Sequence, residues 1–117
     1  MFSYAKDNQV QWIEDINCHW NKLAQAEETL DNFIASKDYI YLSVCMDVFS
    51  SSHAPGVSAP AALGIDPHWF FALLQKIRSS SEAHDTKIVL MDIAETSPPL
   101  DRGNQTSGLA ARIVASF

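Results

Sequence analysis

The stretch YLSVCMDVFSSSHAPGVSAP, residues 41–60, decides how the rest of the chain is read. With the two residues before it, YIYLSVCMDV (39–48) is a nearly continuous apolar run with aromatic and β-branched members. That pattern predicts a strand covered on both faces, as in a parallel sheet. Residues 49–64 are rich in Ser, Pro, Ala and Gly and predict a long loop. Strand side chains alternate, so Ser43, Cys45 and Asp47 are expected on one face, approaching the carboxyl end of their strand. Ligand sites of open parallel sheets lie beyond those ends. Pro55-Gly56 predicts a tight turn with a positive φ at glycine.

Working outward, Asp66-Pro67 is a helix start: Asp66 can cap, and Pro67 suits the first helical position. Ile65 and Phe70 are spaced for a hydrophobic staple. Phe70, Leu73, Leu74 and Ile77 form the expected buried stripe; of Trp69, Phe70 and Phe71 one residue is left over, and Trp69 is expected either in solvent or covering the missing part of the sheet, while Ser79 to Asp85 break the pattern. KIVLMDI, residues 87–93, reads as a second buried strand. A loop stiffened by Pro98 and Pro99 follows, and Thr106 is the expected cap of a last helix carrying Leu109, Ala110, Ile113 and Val114. Upstream, Leu23, Ala26, Leu30, Phe33 and Ile34 predict a helix over 23–34. Val10, Ile13, Ile16 and Trp20 are also spaced for one helical face, so residues 1–38 read as a helical lead-in. From residue 39 to 117 the order is strand, helix, strand, helix. It predicts an α/β layered fold with parallel strands and right-handed crossovers. Two buried strands alone leave open edges and too little apolar cover, so association through those edges or as a homo-oligomer is expected.

The 117 residues suffice for one domain, and a hydrophobic fraction of 47% supports a packed core. Net charge is -6, and Lys and Arg form no cluster. Nucleic acid and anionic membranes are therefore not the expected partners. No apolar run is long enough to span a bilayer, and the first residues lack the order of a secretory signal. Two cysteines, Cys18 and Cys45, make no disulfide framework, so a reducing cytoplasm is the expected setting.

Glu95 follows the second strand at its carboxyl end. If the strands are neighbours, Asp47 and Glu95 emerge on one rim, where two carboxylates can bind a divalent metal and a cationic substrate group. On YLSVCMDVFSSSHAPGVSAPAALGI (41–65) and MDIAETSPPLDRGNQTSGLAARIVAS (91–116), the chain resembles the arginase-like ureohydrolases, most of all their formimidoylglutamase branch. The shared pattern is Ser-x-Asp-x-Asp on a strand, then a Pro-Gly loop, then Asp-x-x-Glu-x-Asn-Pro, an Asp, a Thr and a small-residue helix. The APGVSAP loop points to that branch.

The resemblance implies the C-terminal part of a three-layer α/β/α arginase-like fold. It implies hydrolysis of a carbon–nitrogen bond in a small amidine substrate, N-formimidoyl-L-glutamate, to glutamate and formamide in histidine degradation. It implies a two-manganese centre that activates a bridging water. Asp47 falls on a metal-ligand position, and Cys45 stands where the family has an aspartate; a thiolate suits softer ions than manganese. Glu95 matches the glutamate that contacts the amidine. Ser97 replaces the asparagine of the pattern. The family's Gly-Gly-x-His and Asp-x-His-x-Asp segments have no counterpart in residues 1–38. The chain is therefore expected to correspond to the last third of a formimidoylglutamase and to be inactive alone.

Read without the resemblance, Asp47 is a strand-end acid, Cys45 a small buried hydrophobe and Glu95 an ordinary loop acid. His53 reads as a solvated loop histidine, and His19, His68 and His84 lack metal-ligand spacing. The alternative function is non-catalytic: a truncated relic, or a small module that binds through its open sheet edge.

Overall fold

The computed structural model describes residues 2–117. Its elements are α1 (Phe2–Asp7), α2 (Leu23–Ala35), β1 (Tyr39–Cys45), α3 (Pro67–Ala83), β2 (Lys87–Ala94) and α4 (Gln105–Ser116). The strands pair in parallel, with Ser43 opposite Asp92 and Cys45 opposite Ala94. A register shift lets Tyr41 pair with Leu90 after Ile40 pairs with Ile88, so Val89 is the extra residue of a bulge. The α/β alternation expected from residue 39 onward is present.

The strands are not covered on both faces. Ile40 and Val44 are buried, whereas Tyr39, Tyr41 and Ser43 on the opposite face are exposed. Tyr41 and its partner Leu90 each keep 57% of their surface in water. An apolar run therefore marks two-sided burial only where a second layer is present to supply it.

The covered face packs into one cluster. Val44, Met46, Phe49, Ala54, Val57, Ile65, Trp69 and Ile113 form its centre, with Ala26 from α2. Phe49 meets Phe70 edge-to-face at 5.2 Å between ring centroids. Ile65 and Phe70, the expected staple pair, both join this cluster. Trp69 is 2% exposed and joins the cluster, so of its two expected places the solvent-facing one does not hold.

Helix α3 begins as its sequence dictates. Asp66 Oδ1 accepts the backbone N–H groups of His68 (2.7 Å) and Trp69 (3.4 Å), and Pro67 opens the first turn. The helix then runs through Ala83, past the Ser-rich segment expected to end it. Its serines are tied down instead: Ser80 Oγ donates to Asp31 Oδ1 at 2.6 Å, and Ser81 Oγ donates to the Thr86 carbonyl. Lys76 Nζ also reaches Asp31, at 2.8 Å. The Lys76 bond, then the Ser80 bond, hold the Asp31 carboxyl well below the usual carboxylate range. Thr86 Oγ1 donates to the carbonyls of Ile34 (3.1 Å) and Lys37 (2.9 Å), closing α2 against the start of β2.

The lead-in departs from its helical spacing. Residues 8–22 contain only short 3-10 turns, at Asp15–Asn17 and Trp20–Lys22. Ile16 and Trp20 are 65% and 59% exposed. No core faces that stripe, and an amphipathic helix without a packing surface gains little. Short polar side chains take over locally: Asp15 Oδ1 accepts the Ile16 N–H at 2.8 Å, and His19 bonds Asn21.

Replacing Asp66 with Ala is expected to lower stability by about 1 kcal/mol, read as a reduced urea midpoint with unchanged slope. An unchanged midpoint would show that Pro67 and the core alone start α3.

Candidate functional site

Strand β1 stops at Cys45, and Met46–Val48 form a 3-10 turn. Asp47 is therefore presented by a turn, not by strand alternation with Ser43 and Cys45. Met46 and Phe49 are both completely buried and flank it. Burying each such side chain contributes roughly 1.5–3 kcal/mol, so the turn is pinned on both sides of the carboxylate. Asp47 Oδ1 accepts a hydrogen bond from the Cys45 thiol at 2.5 Å.

Glu95 follows directly on β2, whose last residue pairs with Cys45. Its φ is 67°, in the left-handed region that non-glycine residues enter at a cost. The Glu95 carboxylate accepts from Ser58 Oγ at 3.2 Å. Burial first, then the bond to Asp47 and the nearby charges of Asp47 and Glu95, push the Cys45 thiol above its ordinary 9.0. Cys45 thus lies within electrostatic reach of both carboxylates, and the three expected site residues gather at one end of the sheet.

The loops beneath them interlock. Gly56 does not have a positive φ; the positive-φ glycines are Gly64 and Gly103. Gly56 is needed for close approach: a Cβ there would sit 2.4 Å from the Cβ of Asp101. The Gly56 N–H donates to Thr106 Oγ1 at 2.7 Å, and its carbonyl accepts the Ser97 N–H at 2.8 Å. The loop is anchored through the backbone of Ser97, so no asparagine side chain is needed for that bond. Thr106 is spent on Gly56 and does not cap α4. Asp101 fills that role, accepting the N–H groups of Thr106 and Ser107, each at 2.8 Å, and the Ser107 hydroxyl at 2.6 Å. The Ser107 hydroxyl bond, ahead of the backbone bonds, lowers the Asp101 carboxyl to about 2.

Sequence reasoning missed two contributors. Asp92 shares the open sheet face with Tyr41 and Ser43 and accepts both hydroxyls, that of Ser43 at 2.8 Å. Parallel pairing of the two predicted strands, with Ser43 opposite Asp92, is the signal that would have found it. Ser58, the serine of APGVSAP, is the other. His53 is exposed and bonded to Ser50 Oγ at 2.9 Å, as expected of a loop histidine. Thr96 Oγ1 is buried without a partner among the described residues.

A parallel strand pair, an acid at each tip and a loop locked to the following helix make up this rim. A family model described as "Arginase family" matches residues 1–117. The chain belongs to the arginase family. A formimidoylglutamase of Legionella pneumophila (strain Paris) is 41% identical over 117 residues, which are 100% of this chain and 35% of that protein. One from Clostridium tetani (strain Massachusetts / E88) is 46% identical over 89 residues, 76% of this chain and 25% of the relative. Among solved structures, proclavaminate amidino hydrolase from Streptomyces clavuligerus aligns with a TM-score of 0.85 at 28% identity, over 99% of this chain and 37% of that one. Bacillus subtilis arginase, at 21% identity and a TM-score of 0.84 over 98% of this chain and 39% of that one, shares the fold. The arginase-like α/β architecture is thus established for this chain, which spans about a third of the length of the curated relatives it matches.

The two-manganese centre implied by the resemblance does not fit the donors of this chain alone. Among the described residues no group of three or more His, Cys, Asp and Glu is arranged to hold an ion. Asp47 and Cys45 are bonded to each other, and a thiol is a poor partner for a hard, oxygen-seeking ion.

The Asp101 cap makes a pH prediction. Its carboxyl falls from 3.8 in the unfolded chain to about 2 in the fold. The stability it contributes is present above pH 3.8 and lost as pH falls toward 2. Asp101→Asn is expected to be less stable at neutral pH and to lose stability less steeply across that window in thermal melts. Asp31 supplies part of the remaining slope. A parent-like slope in the variant would contradict the assignment.

Proposed function

We propose that this chain carries one wall of the substrate pocket of a formimidoylglutamase, an amidine hydrolase acting on N-formimidoyl-L-glutamate to give glutamate and formamide. The observation that carries this reading is the convergence of Asp47 and Glu95 around Cys45 at the paired strand ends. The similarity to proteins named formimidoylglutamase supports the substrate class.

In this reading Glu95 accepts N–H groups of the amidinium, a charge-assisted contact that orients the carbon to be attacked. Ser58 holds the Glu95 carboxylate in place while leaving its other oxygen for substrate. Asp47 is the metal-ligand descendant, and Cys45 stands beside it in the place of a second acid. Manganese dependence, the substrate and a role in histidine catabolism are proposed for a protein of the relatives' length. The 117-residue chain alone is proposed to be inactive. Its partners are proposed to be the small amidine and, through the bare sheet face around Tyr41 and Leu90, further polypeptide or a second copy. A cytoplasmic setting belongs to the same proposal and rests on two unpaired cysteines. No helix is long and apolar enough to cross a membrane among the described residues.

A second reading, a non-catalytic binding module, is favoured by that bare face and by the short donor set. One experiment separates the two. The chain is assayed alone with added manganese, and as a chimera replacing the matching third of the Legionella pneumophila formimidoylglutamase. The chain alone is expected at blank level. The chimera is expected to turn over, to lose about 100-fold or more in Glu95→Gln, and to gain in Cys45→Asp. A chimera inactive even with Cys45→Asp would favour the binding module. Turnover by the chain alone, or a Glu95→Gln chimera as active as its parent, would refute the proposed roles.

A further inference from the structure

A cleft of about 200 Å³ lies between α3 and α4, lined by Phe71, Leu74, Gln75, Arg78, Arg112 and Ser116. It is far from the rim. Helix α4 starts beside Gly56 through Thr106 and reaches the cleft at Ser116, roughly 15 Å along its axis at 1.5 Å per residue.

The chemistry of the cleft runs against that of the chain. The protein carries a net charge of -6, yet two of its three arginines meet here, and no lining residue is acidic. Among the described residues the ion pairs involve His68, Lys76 and His84, and neither Arg78 nor Arg112 has a carboxylate within 4.0 Å. Arg78 Nη1 donates to the Ser116 carbonyl at 2.9 Å. That bond orients the guanidinium and leaves its other donors free. Arg112 lies a full turn before the end of α4, so it does not serve the last carbonyls of that helix. Buried Leu74 and half-buried Phe71 form an apolar wall, and Gln75 adds a neutral donor and acceptor. At about 30 Å³ per water-sized group, the space suits an anion of roughly half a dozen heavy atoms.

We infer that this cleft is a binding site for a small organic carboxylate, held by the guanidinium groups of Arg78 and Arg112 with its carbon body against Phe71 and Leu74. Planar guanidinium forks match carboxylates bidentately, and the apolar wall selects an organic acid over a bare inorganic anion. The site is independent of the amidine-hydrolase reading, since it shares no residue with the rim.

The test is a titration of the isotope-labelled 117-residue chain with succinate, against sodium chloride at equal ionic strength. The Nε–Hε signals of the three arginines are followed, with Arg102 as internal reference. Arg78 and Arg112 are expected to shift together and saturably, with a Kd on the order of 1 mM, while Arg102 stays still. Arg112→Gln is expected to weaken binding about tenfold or more, and Arg112→Lys, which keeps the charge without the fork, by several-fold. The lysine variant keeps the test decisive if the glutamine variant fails to fold. All three signals drifting alike with salt would overturn the inference. So would parent-like binding in both variants, or equal binding of phosphate and succinate. Shifts at Arg78 and Arg112 driven by chain concentration alone would overturn it in favour of a contact between copies.

Discussion

Two parallel strands joined by one crossover helix must end on the same edge of their sheet. In this protein that constraint is set by the pairing of Cys45 with Ala94. One residue beyond the second strand stands Glu95, and two beyond the first stands Asp47. A slip of one residue in the pairing would turn every side chain of one strand to the other face, so whatever holds the register holds the site. Val44 is buried under the covered face, and Met46 and Phe49 are buried beyond the strand. Three inward anchors in six residues leave the strand little freedom to slide.

The loops use a different device. Gly56, Asp101, Ser97 and Thr106 come from two distant segments and meet in a small polar knot. Gly56 lets the two segments approach more closely than any side chain would permit. The knot fastens the loop bearing Ser58 to the segment just after Glu95. The left-handed backbone of Glu95 is thereby held at a point where the surrounding structure is stiff, which is where such strain persists.

Local signals were legible in the sequence. Asp66-Pro67 marked a helix start because capping is settled within four residues, and the apolar runs at 39–48 and 87–93 marked strands. The acid at the end of each run located the rim. What the sequence hid depends on distant partners. The stripe at Val10, Ile13, Ile16 and Trp20 has helical spacing but no core opposite it, and it forms no α-helix, only short 3-10 turns at Asp15–Asn17 and Trp20–Lys22. Ser80 and Ser81 looked like helix breakers until Asp31 and Thr86 supplied their bonds. Thr106 looked like a cap, but Gly56 claims its hydroxyl and Asp101 takes over the helix end. The roles proposed for Asp47 and Glu95 come from the resemblance to the ureohydrolases; pattern and spacing alone leave them as two ordinary acids.

The Cys45 thiol is within electrostatic reach of both strand-tip carboxylates, Asp47 through a hydrogen bond and Glu95 through its charge. Titrating the alkylation rate of Cys45 against pH, in a Cys18→Ser background, measures this directly. Both carboxylates raise the thiol's pKa, behind the larger effect of burial. The parent is expected to titrate above 9.0, and removing either charge, by Asp47→Asn or by Glu95→Gln, is expected to move the midpoint down. A midpoint that responds to Asp47→Asn but not to Glu95→Gln would put Glu95 out of reach of the thiol and overturn its placement at the rim.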